Sequence, residues 1–298
     1  MRQHLLALAL IAALGGCQQA DAPSSATPPA AAPAQAADAA ADAAFADLSK
    51  RALDSWMQLS PVGATQIGDH RFDSDIDDLS AAGQQQTLTA YKALLADLDK
   101  MDIARLGREN QVDAAILRNQ LQSDIWNAEV LQSSKWDPQV YNGLAGSAIY
   151  GLMAREFAPL PERLKSATAR MEKIPAIFAQ ARENLDPARV PKIHAETVAK
   201  QNRGILSIVD TLIAPHIGEL PQADQQRLKA AIEGLKKAVD EQQQWLDKTL
   251  VPNARGEFRV GAELYDQKLK FALNSSLSRQ EIGQRARAEL TRVRQDMY

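Results

Sequence analysis

"LKSATARMEKIPAIFAQARENL", residues 164–185, sets the fold class. Leu164, Ala167, Met171, Ile174, Phe178, Ala181 and Leu185 recur at alternating intervals of three and four, which places them on one face of an α-helix. Pro175 stands inside that stripe and should kink the helix or divide it. The same period appears upstream in Phe45, Leu48, Ala52, Trp56 and Leu59, ending at Ser60-Pro61, and in Leu88, Tyr91, Leu95, Leu98 and Met101. Val112, Ile116, Leu121 and Ile125 suggest another helix with less regular spacing. A glycine-containing segment, residues 143–151, follows before Leu152, Met153 and Phe157. Downstream, Ile205, Val209 and Leu212 run up to Pro215, and Leu228, Ile232, Leu235, Val239 and Leu246 run up to Pro252.

No repeat of constant period is present, which argues against a solenoid. The breaks between stripes are short, so the chain should fold as an all-α, mostly antiparallel array of long helices with one contiguous core. Composition agrees: hydrophobic residues are 45% of the 298, but aromatics are only 5%. Helices bearing Ala and Leu are favoured over strands rich in Val, Ile and Tyr. Formal net charge is -3, from 34 basic and 37 acidic residues interspersed along the chain. Bulk charge therefore recruits neither nucleic acid nor acidic lipid.

The amino terminus reads differently. Arg2 precedes a short apolar run, residues 5–13, and then Leu14-Gly15-Gly16-Cys17, which holds the only cysteine. The run is too short to span a membrane and has the form of a secretory signal, residues 1–16. The small residues ahead of Cys17 resemble a bacterial lipobox, in which Cys17 carries the lipid. The other reading is an ordinary signal peptide that discards Cys17, but a lone exported thiol has no disulfide partner. Lipid on Cys17 would anchor the protein to a membrane without spanning it, and the resemblance to such lipoproteins implies that Gln18, following the cysteine, favours the periplasmic face of a Gram-negative outer membrane. Residues 17–44 are rich in Ala and Pro and should form a disordered tether ahead of a helical domain, residues 45–298.

At the other end, Ile282, Ala286, Leu290, Val293 and Met297 form an apolar stripe that begins at a capping box, Ser278-Arg279-Gln280-Glu281. No Gly, Asn or Pro follows to close the helix. The helix either frays into solvent or belongs to a longer protein, whose further part would pack on the last helices.

Residues that could carry chemistry are few. The four histidines are His4, His70, His194 and His216, and no H-e-x-x-H spacing brings two of them to one helical face around zinc. His194 and Glu196 should lie on a solvated face, and His216 near a helix end. The acidic loop, residues 69–78, places Asp73, Asp75 and Asp77 like the first ligands of a calcium loop. Asp78 stands where Gly is required and Gln84 where a bidentate Glu is required, so a solvated loop capping a helix near Ser80 is favoured. Ser147 lacks a nucleophile setting and reads as a packing residue. Arg155 and Glu156 could form a buried ion pair or clamp a substrate carboxylate. Trp126, Trp136 and Tyr141 could line a groove or fill the core.

Three longer stretches carry a resemblance: "SPVGATQIGDHRFDSDIDDLS" (60–80), "GLMAREFAPLPERLKSATARMEKIPAIFAQARENL" (151–185) and "FRVGAELYDQKLKFALNSSLSRQEIGQRARAELTRVRQDMY" (258–298). In this order the chain resembles the bacterial domain of unknown function 885 family. The resemblance implies the amino-terminal half of a gluzincin-like helical fold, distantly like carboxypeptidase Taq. It implies zinc-dependent hydrolysis of peptides in full-length relatives, with the zinc motif absent from this chain. By the same resemblance, Arg155, Tyr141 and Tyr265 would contact substrate on one wall of a groove. The alternative is a noncatalytic helical lipoprotein that binds a partner in the cell envelope.

Overall fold

The computed structural model describes residues 38–298. The signal sequence, Cys17 and most of the proposed tether lie outside the described residues. The first helix, α1, runs Ala39–Leu59 and so begins ahead of Phe45. Asp38 caps it by accepting from the backbone N–H groups of Ala40 and Ala41 and pairs with Arg105. Asp42, on its first turn, accepts from Gly107 N–H and from the Asn110 carboxamide. Alanine-rich residues read as tether thus become helix because the Asp38 and Asp42 carboxylates tie them to the rest of the fold.

After α1 come α2 (Pro61–Ile67), α3 (Ala81–Asp99), α4 (Arg108–Trp126), α5 (Gln139–Met153) and α6 (Leu160–Asn184). Then follow α7 (Lys192–Gln201), α8 (Gly204–Leu212), α9 (Gln222–Trp245), the short α10 (Val251–Asn253), α11 (Ala262–Leu273) and α12 (Arg279–Met297). The class is all-α. Among the described residues the sole β feature is one bridge, Pro191 to Gly256.

Pro175 does not divide α6, which continues through it to Asn184. Ile174, Ile177 and Phe178 are buried on either side of the proline, and this packing outweighs one missing backbone donor. The glycines of residues 143–151 also lie within a helix. There Tyr141, Ala145, Ala148, Ile149 and Leu152 are buried, and the small residues admit close neighbours such as Ile208 beside Gly146. On α4 the buried face is Ala114, Leu117 and Leu121, whereas Val112 and Ile116 are exposed. The face that α1 and α3 cover decides this, and it lies beside the sparse stripe read from the sequence.

Apolar packing is not one contiguous core but three clusters. The main one joins α5, α6, α8 and α9 through residues including Leu152, Met171, Phe178, Val209 and Leu235. A second surrounds Tyr141, Ile177, Val190, Leu246 and Leu250. The third holds α1, α3 and α4 together through Phe45, Leu48, Leu94, Leu98 and Leu121. Between the last two clusters the chain places a polar seam.

Candidate groove between the helical clusters

The seam starts with how the acidic loop is held. Ser60 Oγ donates to Asp77 Oδ1 at 2.6 Å, and the Val62 N–H donates to Asp77 Oδ2 at 3.0 Å, so Asp77 caps the start of α2. Asp73 is buried, accepting from Thr65 Oγ1 at 2.6 Å, with His70 Nδ1 3.0 Å from its other oxygen. The His70 ring stacks on Phe157, with centroids 3.6 Å apart. The loop is therefore solvated on one side, with His70, Arg71, Ser74, Asp75 and Asp78 exposed, and strapped to the fold on the other through Asp73 and Asp77, and Ser80 caps α3 through Gly83 N–H.

Arg170 fastens the strap from within. It is 0% exposed and donates to the carbonyls of Asp75 at 2.8 Å, Ala148 at 3.1 Å and Pro61 at 3.0 Å, and to Thr65 Oγ1 at 2.7 Å. Burial pulls its guanidinium below the ordinary arginine range, opposed by the nearby charges of Asp73, Asp77 and Asp75. Arg163 is used similarly, donating to Met153 O at 3.3 Å at the end of α5 and to Ala158 O at 2.9 Å beyond it.

A groove of about 290 Å³ opens where this strap meets α3, the end of α4 and the start of α5. Its lining includes the carboxylates of Asp77, Asp78 and Asp124 and contains no Lys, Arg or His. The half-buried Asp124 carboxyl is pushed above the usual aspartate range by burial, with one opposing hydrogen bond from Gln120 Nε2 at 2.9 Å. Tyr91 faces the same groove and packs edge-on to Trp56, centroids 6.4 Å apart. Burial first, then the charges of Asp124 and Asp77, push its phenol up, so it remains a hydrogen-bond donor at neutral pH.

Directly after Asp124 the backbone widens into a π-helical turn, Asn127–Leu131, and Gln132 then takes a left-handed conformation with φ 53°. Both features are enriched at functional sites and cost backbone energy. They carry Asn127, Ser133 and Ser134 into the groove wall. Ser134 Oγ donates to Gln84 Oε1 and Ser133 Oγ to Asn127 Oδ1, so neither hydroxyl is paired with a base that would make it a nucleophile. The arrangement can bind a cation or a hydrogen-bonding chain.

The sequence candidates fall in separate places. Tyr141 is 1% exposed, with its hydroxyl donating to Ser134 O at 2.7 Å and accepting from Asn184. Burial pushes it up to about 12, and it supports the groove wall from behind without reaching a substrate. Arg155 is exposed at the end of α5 and donates to Gln66 O at 3.0 Å; Glu156 is exposed as well, so the two form no buried ion pair. Tyr265 is half-exposed on α11, and Ser147 lies within α5.

Trp126 donates to Gln267 Oε1 at 2.6 Å, and Trp136 donates to Leu131 O at 2.9 Å. His194 is not on a solvated face: its ring lies 5.8 Å from that of Trp136, with Nδ1 3.3 Å from Asp137. His216 pairs with Glu219 at 2.7 Å. With the histidines dispersed in this way, no group of three His, Cys, Asp or Glu side chains among the described residues is placed to hold a metal ion. These residues do not fit a zinc centre.

Arg170 and Asp124 were missed, yet each has a sequence signal. Arg163 and Arg170 share the α6 face that buries Ala167 and Ile174, and Asp124 follows Leu117 and Leu121 at the same helical spacing. A charge on a buried stripe marks either a polar lock or a site.

Residues 61–298 match the family described as bacterial protein of unknown function, DUF885. No curated protein matches the chain. A solved structure of a candidate lipoprotein of unknown function from Shewanella oneidensis is similar, with 31% identity and a TM-score of 0.77 over 85% of this chain. The chain spans 46% of that relative's length. Among the described residues no helix is long and apolar enough to cross a membrane.

Proposed function

The chain belongs to the DUF885 family of bacterial proteins of unknown function, and we propose that it is a helical part of an envelope lipoprotein that recognises peptides. The lipid attachment is assigned to Cys17, on the strength of Leu14-Gly15-Gly16-Cys17 and of the candidate-lipoprotein relative. Export to the periplasmic face of the outer membrane belongs to the same reading.

The observation that carries peptide recognition is the groove, in which the Asp124 carboxylate and the Tyr91 phenol lie without a cationic side chain to neutralise them. A peptide's terminal or lysyl ammonium satisfies both: the carboxylate accepts from it and the phenol oxygen shares its shell. Hydrolysis by zinc is implied by resemblance for full-length relatives and is assigned to no residue of this chain. A photoreactive peptide bearing a free amine, cross-linked to the full chain and mapped by mass spectrometry, tests the assignment. Labels within residues 84–91 and 124–134 support it; labels confined elsewhere refute it.

One observation favours a second reading, a noncatalytic lipoprotein that binds a partner. Leu290, Val293 and Met297 on α12 are 53%, 38% and 72% exposed. Such a stripe suits a further protein segment, including the portion of relatives beyond the matched region. Binding of ANS that is lost when a partner is added would support this reading; a monomer that binds no ANS counts against it.

A further inference from the structure

A second cavity, of about 500 Å³, opens between α4 and the C-terminal end of α11. Its volume lies within the usual range for small-ligand sites, about 300–1,000 Å³. It faces away from the acidic groove, because at 100° per residue Arg118 and Asp124 point to different sides of α4. The charged side chains lining it are Arg118 and Lys270, and no carboxylate lines it. Arg118 is drawn to Asp99, which stands outside the cavity lining. Lys270 forms neither an ion pair nor a hydrogen bond among the described residues, and the Gln122 amide and Ser276 hydroxyl are likewise unengaged.

The walls hold this arrangement open. Asn119 Nδ2 donates to Phe271 O at 3.0 Å, tying α4 to α11. Asn274 closes α11 in a left-handed conformation, φ 43°, and turns the chain so that Ser275 and Ser276 complete the rim. Ile103, Ala114 and the Phe271 ring supply an apolar surface beside the donors, and Phe271 is itself supported by Trp126, centroids 5.8 Å apart. The cation and the free N–H and O–H donors suit an anion, while the apolar wall suits one carried on carbon.

We propose that this cleft binds the carboxylate of a small organic acid with an apolar stem, with Lys270 as the counter-charge, Gln122 and Ser276 as donors, and Phe271 packing on the stem. A peptide supplies such a group at its C-terminus or on an acidic side chain. The assignment rests on the cleft alone and stands or falls independently of the acidic groove.

Calorimetric titration of the full chain with acetyl-Leu-Leu, its C-terminal amide, acetyl-Leu-Glu amide and inorganic phosphate tests it. Acetyl-Leu-Leu or acetyl-Leu-Glu amide should bind at least about tenfold more tightly than the uncharged amide, and the tighter of the two identifies the source of the carboxylate. Lys270→Gln should weaken that binding by about tenfold and leave the uncharged amide unaffected, with helicity unchanged by circular dichroism. Lys268→Gln, which removes a neighbouring charge that does not line the cleft, should leave all affinities unchanged. Equal binding of acid and amide, absence of binding, equal losses in the two lysine variants, or phosphate binding as tightly as the acids would each overturn the assignment.

Discussion

The guanidinium of Arg170 and the hydroxyl of Thr65 meet at 2.7 Å in the interior, and the same hydroxyl donates to Asp73 at 2.6 Å. One small side chain thus joins α6, α2 and the acidic strap. The charge of Arg170 is dispersed over carbonyl oxygens and is not neutralised by a direct carboxylate contact, so one residue ties together three separate backbone segments.

Arg170→Ala should therefore be among the most damaging single changes. It empties a fully buried side-chain site and removes the hydrogen bonds to Asp75 O, Ala148 O, Pro61 O and Thr65 Oγ1, and should cost about 3–5 kcal/mol, read as a drop in the urea midpoint. Thr65→Val keeps the shape but leaves Asp73 and Arg170 each short of a partner, for a loss of about 1–3 kcal/mol.

Gly256 crosses the backbone of residues 189–190 so closely that a Cβ there would lie 1.9 Å from Arg189 O. Gly256→Ala must displace the Pro191 bridge and should cost about 1–3 kcal/mol. Gly234→Ala, where an added Cβ meets nothing within 4 Å, should instead be neutral or stabilising. Thermal melting of the two variants provides the comparison.

Asp124 gives a pH signature of definite sign. Its folded-state carboxyl titrates above the ordinary aspartate value because of burial, so ionisation costs the folded state some stability. That penalty is absent below the unfolded pKa and develops as pH rises through the folded one. Asp124→Asn should consequently be more stable than the parent at neutral pH, by no more than about 1 kcal/mol given solvent screening. The difference should vanish under acidic conditions, and melts across the pH range would reveal it.

The α12 capping box is intact: Glu281 N–H donates to Ser278 Oγ at 3.2 Å, and Ser278 N–H donates to Glu281 Oε2 at 2.8 Å. Since α12 buries none of its residues, the cap has unusual weight there. Ser278→Ala should cost about 1 kcal/mol locally, seen as faster amide exchange in α12 with the global melt nearly unchanged.

The helices were legible in the sequence because burial repeats at the helical period, and the α12 cap was legible because its two partners are three residues apart. Local rules allowed Pro175 to divide α6 and left the glycines of residues 143–151 unassigned, whereas packing against neighbouring helices keeps both α6 and α5 continuous. The groove was harder to see. Asp77, Tyr91 and Asp124 lie on three different elements, and they meet through tertiary packing of α3 on α4 and through the strap that Ser60, Val62 and Arg170 hold in place. Tyr141 was recognised as an aromatic of consequence, but nothing local distinguishes a groove contact from a residue that supports the wall behind it.

The ligand proposed for the groove beside Asp124 is a peptide ammonium. Calorimetric titration of the full chain with the tripeptide amide Ala-Ala-Ala-NH2 and its N-acetylated form tests this most directly, since neither carries a carboxylate. The free amine should bind, and its affinity should fall by about tenfold or more on acetylation and equally in Asp124→Asn. Indifference to both changes, or no binding of the free amine, would contradict it.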